Sequence, residues 1–292
     1  MEDKKVLKKA LPCKICTHWD EVDCCTHVHD EVYEKDDFGE DICPFHVNRY
    51  NSEETGGFKT VLPKQQKGEQ KVWFTSDLHI GAKNILFFHP WRREAIGLTE
   101  EEVKRDPKAA MDKHDEWIIE KWNSTVKKGD MVFHLGDFCL KNREYTEKVL
   151  HRLRGKKFFI RGNHDKSLNG LEHFFEWIGD VREVKFTNNQ YKFIDPKEPF
   201  CVEICHYPFL TWNRRPHGTA NVHGHSHGGL DKVNTNSKEL RVDVGLDSNL
   251  FGHEFVELEQ LYNYFVSIRN SAGCAKFEDY VEKLMTEQGY RS

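Results

Sequence analysis

The chain has 292 residues, of which 38% are hydrophobic and 31% charged, a composition that excludes wholesale disorder. No run approaches the roughly 18 apolar residues of a membrane-spanning helix, and the N-terminus leads into no apolar stretch typical of a secretory signal, so we expect a cytoplasmic protein without membrane partners. The formal charge of −5 arises from residues 1–50, and the balanced remainder does not indicate a basic surface for extended nucleic acid.

The first 65 residues are rich in cysteine and histidine and are predicted to form a module of their own. Cys13 and Cys16 are separated by two residues, as are Cys43 and His46, which is the paired spacing of a structural Cys₃His zinc site. Further residues offer alternative ligands: Cys24, Cys25, His27 and His29. We predict a structural zinc ion that supplies the folding energy of this short segment, against the alternative of free thiols in a flexible acidic extension. Such a module could recognise a protein partner or shield an active site.

A polar stretch at residues 63–70 separates this module from a second predicted domain over residues 70–292. Short runs rich in β-branched and aromatic residues follow, and each ends in polar residues. They predict strands at residues 72–76, 131–135, 157–160, 200–205, 220–223 and 240–244. Apolar residues at helical spacing predict helices at residues 109–126, 145–153, 171–178, 255–268 and 277–285. The alternation of strands and helices indicates an α/β architecture.

Candidate metal ligands follow the first two predicted strands. Asp77 and His79 lie two positions apart, and alternate residues of a strand point to the same side, so both side chains can reach one ion. Asp137 follows Gly136 at the end of the second strand, where glycine lets the backbone turn and leaves the carboxylate at the sheet edge. Either motif alone is common and carries little weight.

The next three strands also end in polar groups. Asn163, His164 and Asp165 come directly after the third strand, where packing gives no reason for an amide, an imidazole and a carboxylate. An amide oxygen can ligate a hard cation, and a His–Asp pair suits proton transfer. His206 follows the fourth strand. The fifth strand leads into three histidines at alternate positions: His223, His225 and His227.

Five successive strand ends thus carry Asp, His or Asn side chains. Open α/β sheets place their sites at the carboxyl ends of strands, so we expect these side chains to meet at the same end of one predicted sheet. A chance arrangement of core histidines and solvated carboxylates is the weaker interpretation. The oxygen and nitrogen ligand set, without thiolate, suits Mn²⁺, Fe or Zn²⁺. Cys139 lies close to Asp137, but the alternation of side chains predicts that it packs in the core.

These motifs resemble those of the calcineurin-like metallophosphoesterase superfamily, and in particular those of its small bacterial and phage-type members. The similarity covers about residues 71–250 and includes the full motif set, whereas residues 1–65 lie outside it. It implies an α/β fold with a two-sheet sandwich flanked by helices. It also implies a catalytic domain that hydrolyses phosphoester bonds with two divalent metal ions.

The resemblance implies a role for each motif residue. One metal would be held by Asp77, His79 and His227. The second would be held by Asn163, His206 and His225. Asp137 would bridge the two metals, while His164, oriented by Asp165, would contact the phosphate and assist protonation of the leaving group. Metal-bound hydroxide would attack phosphorus directly, without a covalent intermediate on a side chain.

Contacts to substrate are predicted on weaker grounds. Asn84 lies in the loop after the first motif, where similar phage-type sequences also carry asparagine, and Arg161 directly precedes the third motif. Arg92 and Arg93 are further candidates because a guanidinium suits phosphate oxygens, although a structural role is an equally good interpretation of each arginine. Two residues after the last strand are interpreted as turn residues that could also line the cleft: Asp247 and Asn249.

We therefore expect a metal-dependent phosphoesterase. A phosphodiesterase acting on small or nucleotide-type substrates is slightly preferred, because the alkoxide leaving group of a diester benefits from a proton donor such as His164. The alternatives are a phosphomonoesterase, which would keep the same histidine, and a nuclease, which the balanced charge disfavours. A non-catalytic metal-binding interaction scaffold belongs to a different class, and the complete set of predicted ligands argues against it.

Overall fold

Nine strands and eight α-helices form residues 70–288, which are the residues that the computed structural model describes. The strands are β1 (Val72–Thr75), β2 (Met131–His134), β3 (Lys156–Ile160), β4 (Trp177–Gly179), β5 (Val181–Phe186), β6 (Phe200–Cys205), β7 (Ala220–His223), β8 (Arg241–Asp243) and β9 (Val256–Glu257). The helices are α1 (Ile85–Phe88), α2 (Pro90–Ala95), α3 (Glu100–Arg105), α4 (Pro107–Thr125), α5 (Arg143–Arg152), α6 (Asp231–Ser237), α7 (Leu258–Ser271) and α8 (Phe277–Glu287). All six predicted strands are present.

The strands form two mixed sheets. The first has the order β4-β3-β2-β1-β9 and the second the order β5-β6-β7-β8. Neighbouring strands are parallel except at β1–β9 and β5–β6, which are antiparallel. The predicted two-sheet α/β fold is confirmed. Three of the five motif-bearing strands lie in the first sheet and two in the second, so the expectation of one sheet for all five is wrong. An apolar run predicts a buried strand, but it does not predict the neighbour with which that strand pairs.

Aromatic side chains join the inner faces of the two sheets. Phe74, Phe133 and Phe158 occupy neighbouring positions on β1, β2 and β3, and their rings stack with centroids 5.3 and 4.8 Å apart. Phe186 of the second sheet meets two of these rings edge-on at 6.2 and 6.4 Å. Edge-on and stacked contacts between buried rings add to the free energy gained from burial itself. This core holds the two sheets together beneath their carboxyl ends.

The opposite face of the first sheet is covered by helices. The alternation of strand residues turns Val132 and Phe159 to this side, where they pack with Ile118 and Trp122 of α4 and with Leu150 of α5. The helices begin where the sequence supplies caps. Asp106 accepts the backbone N–H of Ala109 at the start of α4, and Asn142 accepts that of Tyr145 at the start of α5.

The segment between β1 and α4 forms a small helical insertion beside the carboxyl end of β1. Its helices α1, α2 and α3 pack with the start of α4 around a small apolar cluster, whose buried members are Ile85, Leu86, Ile96 and Val103 of the insertion and Ala110 of α4. Thr99 and Glu102 close a capping box at the start of α3. The insertion is therefore an ordered structure that stands next to the motif residues.

Two predicted helices need correction. Residues 171–178 place apolar side chains at helical spacing but form a short 3₁₀-helix (Glu172–Phe174) and then β4. Trp177 packs in the core between the sheets and Ile178 on the helix-covered face, so β4 alternates as a strand and pairs with β3. The helix predicted at 255–268 begins only at Leu258, since Val256 and Glu257 pair with β1.

No helix among residues 70–288 is long and apolar enough to cross a membrane. The predicted N-terminal module, with its zinc ligands Cys13, Cys16, Cys43 and His46, lies outside the described residues.

Candidate metal centre and active site

The loops that follow β1 and β2 continue to pair after the strands end. The backbone N–H groups of Asp77 and His79 donate to the carbonyls of Gly136 and Asp137 at 2.9 and 3.1 Å. Ile80 then forms an isolated parallel bridge with Cys139. Because these bonds fix one loop against the other, the first two motifs are held at a defined separation.

Candidate ligands adopt an unusual backbone conformation. Eight residues other than glycine have a positive φ among residues 70–288, and five of these are predicted metal ligands: Asp77, His79, Asp137, His225 and His227. This left-handed conformation costs on the order of 1–3 kcal/mol at a residue with a side chain, although Asp and His tolerate it better than most. Such strain concentrated in one set of residues is typical of a functional site, where the surrounding structure enforces it.

The first cluster of candidate ligands consists of Asp77, His79 and His227. The Nε2 atoms of the two histidines are 3.1 Å apart, and they lie 3.8 and 3.6 Å from Oδ1 of Asp77. With bonds of about 2.1 Å to one ion, neighbouring ligand atoms lie about 3.0 to 3.4 Å apart in octahedral or tetrahedral geometry. The three donor atoms therefore nearly match a shared coordination sphere.

The second cluster consists of Asp137, Asn163, His206 and His225. Nε2 of His206 lies 3.1 Å from Oδ1 of Asn163, 3.2 Å from Nδ1 of His225 and 3.5 Å from Oδ2 of Asp137. The same Asp137 oxygen lies 3.6 Å from Nε2 of His79 in the first cluster. One carboxylate oxygen thus faces both clusters.

Each of the two carboxylates is held by one oxygen and offers the other. Oδ2 of Asp77 accepts the backbone N–H of His225 at 2.9 Å, and Oδ1 of Asp137 accepts that of His164 at 3.0 Å. Oδ1 of Asp77 is buried and has no hydrogen-bond partner within the described part of the chain. A buried carboxylate oxygen without a donor is costly, and a cation among the three donor atoms of the first cluster would satisfy it. The residues therefore fit a metal ion.

Two histidines are also oriented as metal ligands. Nδ1 of His206 lies 2.7 Å from the Leu135 carbonyl, and Nδ1 of His227 lies 2.6 Å from Oδ2 of Asp247. An N–H that donates to these acceptors leaves the lone pair on Nε2, which is the atom that faces the cluster in both residues. Once the ring is deprotonated, these contacts therefore favour the tautomer that a cation requires.

The charges of the site hold protons in its metal-free form. Burial alone lowers the pKa of His206, but the carboxylates of Asp137 and Asp77 outweigh burial and raise this pKa to about 10. Burial opposes ionisation of Asp77 as well, yet the charge of His227 and the nearby ring of His79 lower the pKa of this carboxyl. Burial and the nearby charge of His206 lower the pKa of His225 to about 3. A proton on His206 therefore occupies the place of a cation.

We expect divalent cations to displace that proton. Because the pKa of His206 is raised to about 10, the metal-free ring is protonated between pH 6 and 9, and affinity should increase about tenfold per pH unit for each proton released. Titration calorimetry with Mn²⁺ in buffers of different ionisation enthalpy measures the protons directly. A binding enthalpy independent of buffer, with affinity constant from pH 6 to 8, would contradict this expectation.

Glycine at position 162 permits close contact between the second and third motif loops. A Cβ atom there would overlap Oδ1 of Asp137 and lie 2.7 Å from the Asp137 backbone nitrogen. We expect Gly162→Ala to destabilise the fold by about 1–3 kcal/mol and to weaken Mn²⁺ binding, since the loops must separate. Urea unfolding and metal titration measure the two effects. Gly129→Ala is the matched control, because nothing lies within 4 Å of a Cβ at that position; equal behaviour of the two variants would refute the steric argument.

The His164–Asp165 pair differs from its predicted arrangement. The side chain of His164 is exposed and its ring lies 5.8 Å from that of His79, centroid to centroid. The buried carboxylate of Asp165 accepts backbone N–H groups of Asp137, Phe138 and Gly162 at 2.6–2.9 Å. No hydrogen bond or ion pair joins it to the His164 ring within residues 70–288. The prediction that Asp165 orients this ring is therefore wrong; it fixes the backbone of two motif loops instead.

The residues predicted to contact substrate have different surroundings. Asn84 is exposed, while Arg161 is half-buried and lies 3.7 Å from Glu172. Arg92 is fully buried, so it cannot grip a phosphate, and Arg93 donates to the Leu86 carbonyl. These two arginines are structural, as the alternative interpretation held. Cys139 is buried in the core as predicted, and burial raises its pKa to about 11.

The sequence patterns did not predict that Asp247 and His89 contact the candidate ligand His227. Asp247 is buried and bonds to His227, and it was interpreted mainly as a turn residue. A signal was available, since Asp247 follows the sixth predicted strand and Gly245, much as Asp137 follows β2 and Gly136. His89 stacks on His227 with ring centroids 4.7 Å apart. His89 belongs to the insertion and does not follow a predicted strand, so the sequence pattern that identified the other site residues does not apply to it.

Comparisons with known proteins indicate the family to which the chain belongs. The family profile described as "Calcineurin-like phosphoesterase" matches residues 70–257. The "Gene 66 protein" of Mycobacterium phage L5 is 24% identical over 228 residues, which span 69% of this chain and 97% of the phage protein. An uncharacterized protein of Methanocaldococcus jannaschii is 28% identical over 181 residues, covering 60% of this chain and 82% of the archaeal one.

A crystal structure of a protein of unknown function from Aquifex aeolicus aligns with a TM-score of 0.45 at 17% identity, over 67% of this chain and 99% of the other. The family profile spans well over half of the chain and contains every motif that carries a candidate ligand. The chain belongs to the calcineurin-like phosphoesterase family and is a metal-dependent phosphoesterase.

Proposed function

We propose that the chain hydrolyses phosphodiesters of small or nucleotide-type compounds, with one divalent cation in each of the two clusters. The observation that most supports two cation sites is the position of Asp137, whose Oδ2 lies 3.6 Å from Nε2 of His79 and 3.5 Å from Nε2 of His206. When bound, a pair of divalent cations lowers the pKa of water to give a nucleophile near neutral pH and neutralises charge on the phosphoryl group. Mn²⁺, Fe and Zn²⁺ all suit these ligands.

In this proposal each side chain has one task. Asp77, His79 and His227 would hold the first cation. Asn163, His206 and His225 would hold the second. Asp137, whose Oδ2 faces both clusters, would serve both cations, while Oδ1 stays with the backbone N–H of His164. The backbone bonds described above keep these donors in place before a substrate arrives, so little reorganisation is needed when the phosphate binds.

His164 is the proposed proton donor to the leaving group. Its ring is exposed and lies 5.8 Å from that of His79 between ring centroids. An alkoxide leaves far more easily when a side chain protonates it, so a proton donor at this position suits an alkyl phosphoester, in our proposal a diester. A phosphomonoesterase would use the same histidine and is the second candidate. Asn84, whose side chain is exposed, and Arg161 are proposed contacts to phosphate oxygens.

The N-terminal proposals rest on sequence alone. We propose that residues 1–65 form a module with a structural zinc ion held by Cys13, Cys16, Cys43 and His46, separate from the catalytic domain over residues 70–292. A protein partner is the proposed target of this module.

Hydrolysis of bis-p-nitrophenyl phosphate and p-nitrophenyl phosphate tests the proposed function. Metal-stripped protein should be inactive on both substrates and should regain activity when Mn²⁺ is added. A higher kcat/KM on the diester supports the phosphodiesterase, and the reverse order supports the phosphomonoesterase. Two bound cations without turnover of either substrate would argue against broad activity on both ester classes and favour a narrowly specific enzyme or a metal-binding scaffold.

A further inference from the structure

A buried arginine of the insertion forms hydrogen bonds with the main chain next to the first cluster. Arg92, in α2, is fully buried and donates from Nη2 to the carbonyl of Asp77 at 2.7 Å and from Nη1 to that of Leu78 at 2.9 Å. It also donates from Nε and Nη2 to the two oxygens of Asp247 at 2.8 and 2.7 Å. The guanidinium thus joins the main chain of one candidate ligand to a carboxylate that bonds another.

Asp247, which pairs with Arg92, also contacts His227. Oδ2 of Asp247 lies 2.6 Å from Nδ1 of His227, and Oδ1 also accepts the indole N–H of Trp91 at 2.8 Å. Two of the three members of the first cluster, Asp77 and His227, are therefore tied to Arg92. His206 of the second cluster takes its orientation from elsewhere, namely from the Leu135 carbonyl.

A third set of side chains could be read as a further metal site. His89, His227 and Asp247 bring their ligand atoms within 4.8 Å of one another. Arg92, Trp91 and His227 already donate to the two oxygens of Asp247, however, and the guanidinium already offsets its charge. The charge of Arg92 also opposes a cation at this place. The set is better explained as support for the first cluster than as a site of its own.

The Arg92–Asp247 pair is hard to explain by stability alone. Both groups are buried, and removing two charges from water costs free energy that their attraction only partly returns, so well-packed apolar residues often serve equally well. Arg92 donates to both oxygens of Asp247, and Oδ2 of this carboxylate lies 2.6 Å from Nδ1 of His227, so the pair holds the ring with Nε2 towards the cluster.

We propose that Arg92 and Asp247 are positioning residues that set the affinity of the first cluster for its cation without touching the substrate. Arg92 holds the main chain at Asp77, and Asp247 fixes the ring of His227 with Nε2 towards the cation. This inference rests on the two-cation site proposed above. Partners of metal ligands typically contribute about 10- to 100-fold to metal affinity. That factor should apply to one of the two sites only.

Mn²⁺ titration of full-length protein, by calorimetry and by electron paramagnetic resonance of the free ion, tests the proposal without any activity assay. Arg92→Met and Asp247→Asn should each weaken one site about 10- to 100-fold and leave the other within threefold. Arg92→Lys keeps the charge but loses the two-pronged contact, so it should restore only part of the affinity. Combination with His225→Ala, which removes a donor from the second cluster, identifies the affected site as the remaining one.

Arg215→Met is the matched control. Arg215 also makes a two-pronged, largely buried ion pair, to Glu239 at 3.0 and 2.6 Å, but this pair involves none of the candidate ligands. The control should bind both cations as the wild type does. Equal weakening of both sites, or unchanged affinity in Asp247→Asn, would overturn the proposal. If Arg92→Met does not fold, Asp247→Asn and Arg92→Lys decide. Failure of the wild type itself to bind two Mn²⁺ ions would instead refute the two-cation site.

Discussion

Replacing Asp137 with asparagine is expected to weaken both cation sites together and to lower kcat/KM about 1000-fold, because the ions supply several kcal/mol of transition-state stabilisation. Oδ1 of Asp137 accepts the backbone N–H of His164, so an asparagine that keeps this bond must turn its NH₂ group to where Oδ2 now lies. There the NH₂ would face Nε2 of His79 and of His206 with a donor instead of a ligand. Metal content of the dialysed variant and its kinetics measure the two effects.

Asp130→Asn provides the control for a lost buried carboxylate. Asp130 and Asp137 are both 2% exposed and flank the same strand, but Asp130 precedes β2 and accepts N–H groups of Lys71, Trp73 and Lys127 far from the ligands in the sheet. This control should lose stability and keep both cations. Loss of a single cation in Asp137→Asn would show that the carboxylate does not bridge.

The sequence predicted the motif-bearing strand ends well, because the signal is local. A strand of four or five apolar residues followed directly by a carboxylate or histidine needs little knowledge of the rest of the chain. The motif glycines Gly136 and Gly162 could also be identified from the sequence. The structure explains Gly162, because a side chain at this position would collide with Asp137. Polar residues that follow buried strands can therefore be found before the pairing of those strands is known.

Features that depend on distant parts of the chain were missed. The strand Trp177–Gly179 has a helical pattern of apolar residues, and only its pairing with β3 makes it a strand. Arg92 was considered as a phosphate contact because a guanidinium suits phosphate oxygens, but its partner is Asp247, 155 residues further along the chain. Periodicity contains no information about such a pair. The position of the insertion likewise depends on contacts with residues distant in sequence, such as Asp247.

Truncation of His164 to alanine should lower kcat about 10²- to 10⁴-fold, the range for a lost proton donor, while both cations stay bound. The imidazole belongs to neither cluster, and the contact of this residue with Asp137 is made by its backbone N–H at 3.0 Å, which alanine retains. Metal analysis and steady-state kinetics of the same preparation separate the two properties. Loss of a cation from this variant would contradict the role of His164.

The leaving group decides whether His164 acts by donating a proton. A p-nitrophenolate needs little protonation as it departs, whereas an alkoxide needs it fully, so His164→Ala should slow a methyl p-nitrophenyl diester much less than a dialkyl diester. His217→Ala is the control, since His217 is also exposed and contacts only Glu278 among the described ion pairs; it should slow neither substrate. An equal loss on both esters would mean that His164 binds the phosphate and that water protonates the leaving group. A larger loss on the alkyl ester, with His217→Ala unchanged on both, indicates that the proton comes from this ring, because the two leaving groups differ most in their need for a proton.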